Sequence, residues 1–194
     1  KTSTITSTYR MIFPFFFFSI LQDFKLIHFF LCTDFLNYAI LYAYEFGGNN
    51  MIRFIIVVLF VVLFLVLSIP LLVAEWIIGK FNQSLKDRSS LAIVSWAFRQ
   101  VIRLSGTKVI TIGEENIPND TPVLYVANHH SYYDIVLTYA RVPGLTGFVA
   151  KLEMNKYPLL SNWMRNLHCL FLDRKNIKEG LKTILAAIEK VKSG

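Results

Sequence analysis

The run Asn128-His129-His130-Ser131-Tyr132-Tyr133-Asp134 holds the side chains best suited to acid–base work. It follows residues 122–127, which read as a strand, so His129 falls in the turn after a strand and Asp134 at the start of a helix. Strand ends are where α/β folds build sites. Five positions apart, the two side chains do not share a helix face, but with His129 still in the loop the Asp134 carboxylate can reach back to the imidazole. That pairing fixes the tautomer and stabilises the imidazolium, so the other ring nitrogen can act as general base toward a hydroxyl. A second reading stands level with the first on these residues alone: Ser131 and Asp134 also make a capping-box-like pair, which explains the acid without catalysis. His130 invites a metal reading, yet no other His, Cys or acid lies at ligand spacing and zinc needs three or four ligands, so no metal site is expected.

The remaining candidates carry less chemistry. Cys32 and Cys169 are too few and too far apart for a disulfide framework. Cys169 has no charged neighbour nearer than Asp173 and reads as a small buried hydrophobe. His168, Trp163 and Met164 read as packing residues.

The elements that must position the His–Asp pair follow from periodicity. Residues 108–112, 123–127, 146–150 and 169–172 are short β-rich runs, with helical patterns at 131–140, 157–166 and 177–191 between and after them. In the last helix positions 177, 181, 184, 185, 188 and 191 form one apolar stripe, with Asn176 as N-cap and Glu179 completing a capping box. Alternating strands and helices predict an α/β layer structure with a largely parallel sheet. Upstream, residues 91–104 are amphipathic: apolar side chains at 91, 94, 98, 101 and 102 oppose Arg99 and Arg103, a face suited to a membrane or to the domain.

The chain of 194 residues is 54% hydrophobic, with the apolar residues concentrated in the first eighty. Its net charge of +7 arises wholly from Met51 onward, because residues 1–50 hold three basic and three acidic side chains. A basic protein with a long apolar stretch suits anionic lipid headgroups better than nucleic acid, and no nucleic-acid partner is expected. Residues 1–50 contain ten of the seventeen phenylalanines and read as a doubtful extension, possibly upstream sequence that is not translated, with Met51 as the expected start; the rival reading is an apolar anchor over 11–44. Residues 54–74 are 21 uncharged positions, and about 20 cross the hydrocarbon core as a helix. Pro70 leaves open a kinked or re-entrant helix. Basic residues follow this stretch, placing the later part on the cytoplasmic side. The division expected is 51–80 membrane anchor helix, 81–106 amphipathic linker helix and 107–194 catalytic portion.

Asn128-His129-x-x-x-x-Asp134 resembles the His-x4-Asp signature of the glycerol-3-phosphate and lysophosphatidic acid acyltransferase family. Gly113-Glu114-Glu115-Asn116-Ile117-Pro118 is similar to the family's lead-in, and Ala150-Lys151-x-Glu153, Pro158 and Phe171-Leu172-Asp173-Arg174 to its second block, so the resemblance covers about 91–194. It implies a glycerolipid acyltransferase fold, here partial, with a mostly parallel sheet flanked by helices and preceded by N-terminal membrane helices. It also implies acyl transfer. His129 would deprotonate the free hydroxyl of lysophosphatidic acid, Asp134 would orient it, and the oxyanion would attack an acyl-carrier-protein or coenzyme A thioester to give phosphatidic acid. Arg174 and Lys151 would hold the substrate phosphate, a guanidinium forking onto two oxygens and an ammonium acting as a point charge; by position alone each is an ordinary solvated cation. Asn128 and Ser131 would complete the substrate site. Tyr132 and Tyr133 suit either an acyl channel or the core. No cofactor beyond the thioester donor is implied, and a bacterial-type inner membrane with the catalytic portion cytoplasmic is expected. The family's Phe-Pro-Glu-Gly-Thr-Arg block is not reached by Gly194, so the chain is expected to be a fragment, the N-terminal part of the domain. The alternatives are a related acyltransferase with another acceptor, such as glycerol 3-phosphate or another lysophospholipid, and a non-catalytic membrane adaptor.

Overall fold

Residues 51–81 are apolar almost throughout, and they form two helices, α1 (Gly48–Leu67) and α2 (Ile69–Phe81). The structure is a computed structural model that describes residues 48–118, 122–127 and 131–192. The Phe-rich extension lies outside them apart from the backbone of 48–50. The helix expected over 54–74 takes the kinked form that Pro70 left open and is broken at Ser68, because Pro70 in the first turn of α2 has no N–H to continue the ladder. Among the described residues no single helix is long and apolar enough to cross a membrane; Met51–Leu67 and Ile69–Phe81, bent by 47°, reach that length and apolarity together, as a broken span or a re-entrant loop does. The bend is pinned from outside. Ser68, 1% exposed, donates its hydroxyl to Leu65 O (2.9 Å) and accepts the indole N–H of Trp163 at 3.0 Å.

Asn82 turns the chain, its Oδ1 accepting the Leu85 N–H (2.9 Å), and α3 (Gln83–Ser105) runs back along both earlier helices. It stops at Gly106, whose φ of 70° ends a helix at no steric cost. The amphipathic expectation holds: Val94, Ala97 and Val101 are buried, and Arg99 and Arg103 are exposed. One core cluster joins Val94 to Tyr139, Trp163, Leu167 and Cys169, and a second joins Val101 to Tyr133 and Leu137. Burying each large apolar side chain contributes about 1.5–3 kcal/mol, which makes α3 the spine of the molecule.

Beyond α3 come α4 (Tyr132–Tyr139), β1 (Val149–Lys151), a 3-10 turn (Leu152–Lys156), α5 (Pro158–Asn166), β2 (Leu170–Leu172) and α6 (Ile177–Lys192). The strands pair in parallel, Val149 with Leu170, Ala150 with Phe171 and Lys151 with Leu172, so β1–α5–β2 is a βαβ unit. α5 ends in a Schellman turn: Cys169 N–H reaches Met164 O (2.9 Å) and His168 N–H reaches Arg165 O (3.0 Å), with His168 at φ 57° where glycine is usual.

The expected sheet is only partly formed. Residues 108–112 and 122–127 carry no strand among the described residues, and two paired strands remain. Alternation prepares a segment for a sheet, but a ladder needs a neighbour, and here Ile112 (67%), Leu124 (77%) and Val126 (86%) are exposed. α6 repeats the theme. Gly180, Thr183 and Ala187 are its most covered positions, and the apolar stripe from Ile177 to Val191 is exposed. Asn176 caps it through its Oδ1 to Glu179 N (3.2 Å), while the Glu179 carboxylate takes Lys182 Nζ at 2.7 Å instead of a backbone N–H.

Candidate active site

Ser131 is the N-cap of α4, its Oγ accepting the Tyr133 N–H (3.0 Å), and Asp134 Oδ2 accepts the Ser131 N–H at 2.8 Å. The capping box read from the sequence is therefore formed. It does not compete with an imidazole contact, since a carboxylate has about four acceptor positions and the cap uses one. Asn128, His129 and His130 lie outside the described residues.

Eight residues make a helix too short to hold its own direction, so α4 depends on side-chain ties. Tyr133, 4% exposed, is a core residue; its phenol donates to Thr107 Oγ1 (2.8 Å) and lies 2.8 Å from Ser105 Oγ. Past the other end, Arg141 makes a two-pronged ion pair with Glu114 of the lead-in segment. The Arg141 hydrogen bonds, opposed by partial burial and aided by its charge, hold the Glu114 carboxyl below the usual carboxylate range. Tyr132 donates its hydroxyl to Met154 Sδ (3.8 Å), setting the first turn of α4 beside the turn that follows β1. Spacing gave no hint of the Ser105, Thr107, Glu114 and Met154 contacts, because each joins residues more than twenty positions apart.

Lys151 ends β1 in register with Leu172, and Arg174 follows β2 by two residues. Both cations are exposed at the carboxyl ends of parallel strands, the edge where open α/β sheets bind ligands. Among the described residues no three His, Cys, Asp or Glu side chains converge as metal ligands would. Cys169 is buried, and that burial pushes its thiol up. Trp163 packs as expected. His168 does not: its Nε2 lies 3.0 Å from Asp87 Oδ1 and its Nδ1 3.1 Å from Lys190 Nζ, because the left-handed backbone turns the ring out of the core and between α3 and α6.

A parallel βαβ unit, a capped acid at a helix start and cations at the strand ends define the setting in which the comparisons with known proteins fall. Residues 108–194, slightly under half of the chain, match the family model described as Acyltransferase. The chain is 40% identical over 95 residues to a "Probable 1-acyl-sn-glycerol-3-phosphate acyltransferase" of Mycoplasma genitalium, covering 42% of this chain and 34% of that one. The corresponding protein of Mycoplasma pneumoniae is 36% identical over 95 residues, covering 42% of this chain and 35% of that one. The 1-acyl-sn-glycerol-3-phosphate acyltransferase of Saccharomyces cerevisiae is 32% identical over 101 residues, covering 52% and 33%. The chain thus spans about a third of the length of the curated relatives it matches. No solved structure matches it significantly.

Proposed function

We propose that the protein transfers a fatty acyl group from an acyl-carrier-protein or coenzyme A thioester to the free hydroxyl of lysophosphatidic acid, giving phosphatidic acid. The observation that carries this reading is the order of its blocks in the matched segment: His129 ahead of α4 in the sequence and Asp134 in its first turn, then Lys151 and Arg174 at the ends of two strands that pair in parallel. His129 takes the hydroxyl proton, and Asp134 holds the ring and the positive charge it acquires. The alkoxide oxygen attacks the thioester carbonyl carbon, and the thiolate leaves as the acyl–oxygen bond is made. Arg174 and Lys151 hold the substrate phosphate, and Asn128 and Ser131 complete the substrate site. The membrane is reached through α1 and α2, whose exposed Leu59, Leu63, Leu67, Trp76 and Phe81 suit lipid, with Lys80, Lys86 and Arg88 for anionic headgroups.

The test is acyl transfer to lysophosphatidic acid by the purified native protein, offered each donor in turn. His129→Ala is expected to lower kcat by about 10²–10⁴-fold, and undiminished turnover would refute the reading. A specific observation favours one rival. The capping box is complete, so a membrane adaptor that uses Ser131 and Asp134 only as a cap keeps its cellular role in His129→Ala, whereas the enzyme does not.

A further inference from the structure

The first turn of α4 is tied to the end of α3 by three hydroxyls. Tyr133 donates to Thr107 Oγ1 at 2.8 Å, Thr107 Oγ1 and Ser105 Oγ are 2.8 Å apart, and Ser105 donates to Ile102 O at 2.8 Å. With the Tyr133 proton given to Thr107 and the Ser105 proton given to the Ile102 carbonyl, the Thr107 proton goes to Ser105. The chain of donors then runs one way, from the phenol into the Ile102 carbonyl in the last turn of α3. Ser105 and Tyr133 are each 4% exposed, and Thr107 between them is half-buried, so water competes little for these bonds.

Tyr133 immediately precedes Asp134, and its side chain occupies the core cluster of Val101 and Leu137. Packing fixes how deep α4 sits; a ring in a greasy pocket still allows the helix to roll about its axis. The phenolic hydrogen bond removes that freedom, and with it the freedom of the carboxylate one residue on.

We infer that Tyr133 is a positioning residue for Asp134: its phenol, held in the hydroxyl junction with Thr107 and Ser105 at the end of α3, sets the angle at which α4 presents the carboxylate to the histidine. This rests on the acyltransferase reading above. The residue acts through Asp134, so its loss lowers kcat and leaves KM for the lysophospholipid in place.

The experiment measures kcat and KM for lysophosphatidic acid in the native protein and in Tyr133→Phe, Thr107→Val, Thr107→Ser and His129→Ala. Tyr133→Phe and Thr107→Val are each expected to lower kcat by roughly ten- to a hundredfold at unchanged KM, the scale of a misplacement of about 1 Å. Thr107→Ser, which keeps the relay, retains kcat. The double variant Tyr133→Phe/Thr107→Val is no worse than either single variant. Should Tyr133→Phe fail to fold, the Thr107 pair carries the same comparison. Full kcat in Tyr133→Phe or in Thr107→Val, with turnover lost in His129→Ala, overturns this inference alone. Full turnover in His129→Ala overturns the acyltransferase reading and the inference with it.

Discussion

At the scale of single residues, Asp134 caps α4 and, in the proposed mechanism, also orients the histidine. Its cap contact at 2.8 Å fixes one oxygen to the backbone and leaves the carboxylate further acceptor positions. The Ser131/Asp134 spacing made this legible in the sequence, since capping is local chemistry. Glu114 was not legible, because its partner Arg141 lies 27 positions away. Both side chains are about 40% exposed, so their pair contributes only ~0–1 kcal/mol. Its pH dependence is nonetheless specific. Arg141 holds the folded-state Glu114 value below that of the unfolded chain, so the stabilisation is complete above the unfolded value of about 4.3 and is lost as pH falls through the folded value. Thermal melts of the native protein and Glu114→Gln should therefore differ near neutrality and converge in acid; a difference that persists in acid would remove the ion pair as its cause.

At the scale of elements, helices were read more faithfully than strands. The helices expected over 131–140 and 157–166 begin within a residue of those positions, with Ser131 as N-cap of α4 and Pro158 in the first turn of α5. Strands 108–112 and 122–127 carry the right alternation but lack a ladder among the described residues, because pairing is a property of two segments and not of one. His168 was misread for a related reason: neither Asp87 nor Lys190 is near it in sequence. The Schellman turn that directs its ring also presses backbone onto Gly147. A Cβ there would stand 2.7 Å from His168 O and 3.1 Å from Leu167 O, atoms that have no rotamer to yield with. Gly147→Ala should cost about 1–3 kcal/mol in denaturant titration. Gly144→Ala, with nothing within 4 Å of the added carbon, should stay within ~0.5 kcal/mol of the native protein. Equal effects at the two positions would show that the close approach is not what makes Gly147 necessary.

For the whole molecule, the net charge of +7 and the apolar exterior of the first two helices act in one direction. Trp76 is 61% exposed with Lys80 Nζ 3.6 Å from its ring centre, an aromatic–cation pairing at home where hydrocarbon meets headgroups. The proposed attachment predicts co-sedimentation with vesicles containing anionic lipid and weaker binding to neutral ones. Raising salt from 0.1 to 1 M, which shortens the screening length from about 10 to 3 Å, should weaken the anionic preference and leave a residual apolar component. Equal binding to both vesicle types at low salt would count against headgroup recognition, and no binding to either would end the attachment reading. Apolarity made this surface legible in the sequence, and Pro70 marked where it bends; the partner that fixes the bend was not legible.

That partner is the indole of Trp163, hydrogen-bonded to Ser68 at the corner between α1 and α2 and carried on the helix that leads into β2. The corner and the helix that leads into β2 are thus joined by one buried hydrogen bond. The apolar pair of helices is in this way fastened to the segment that continues through β2 to Arg174.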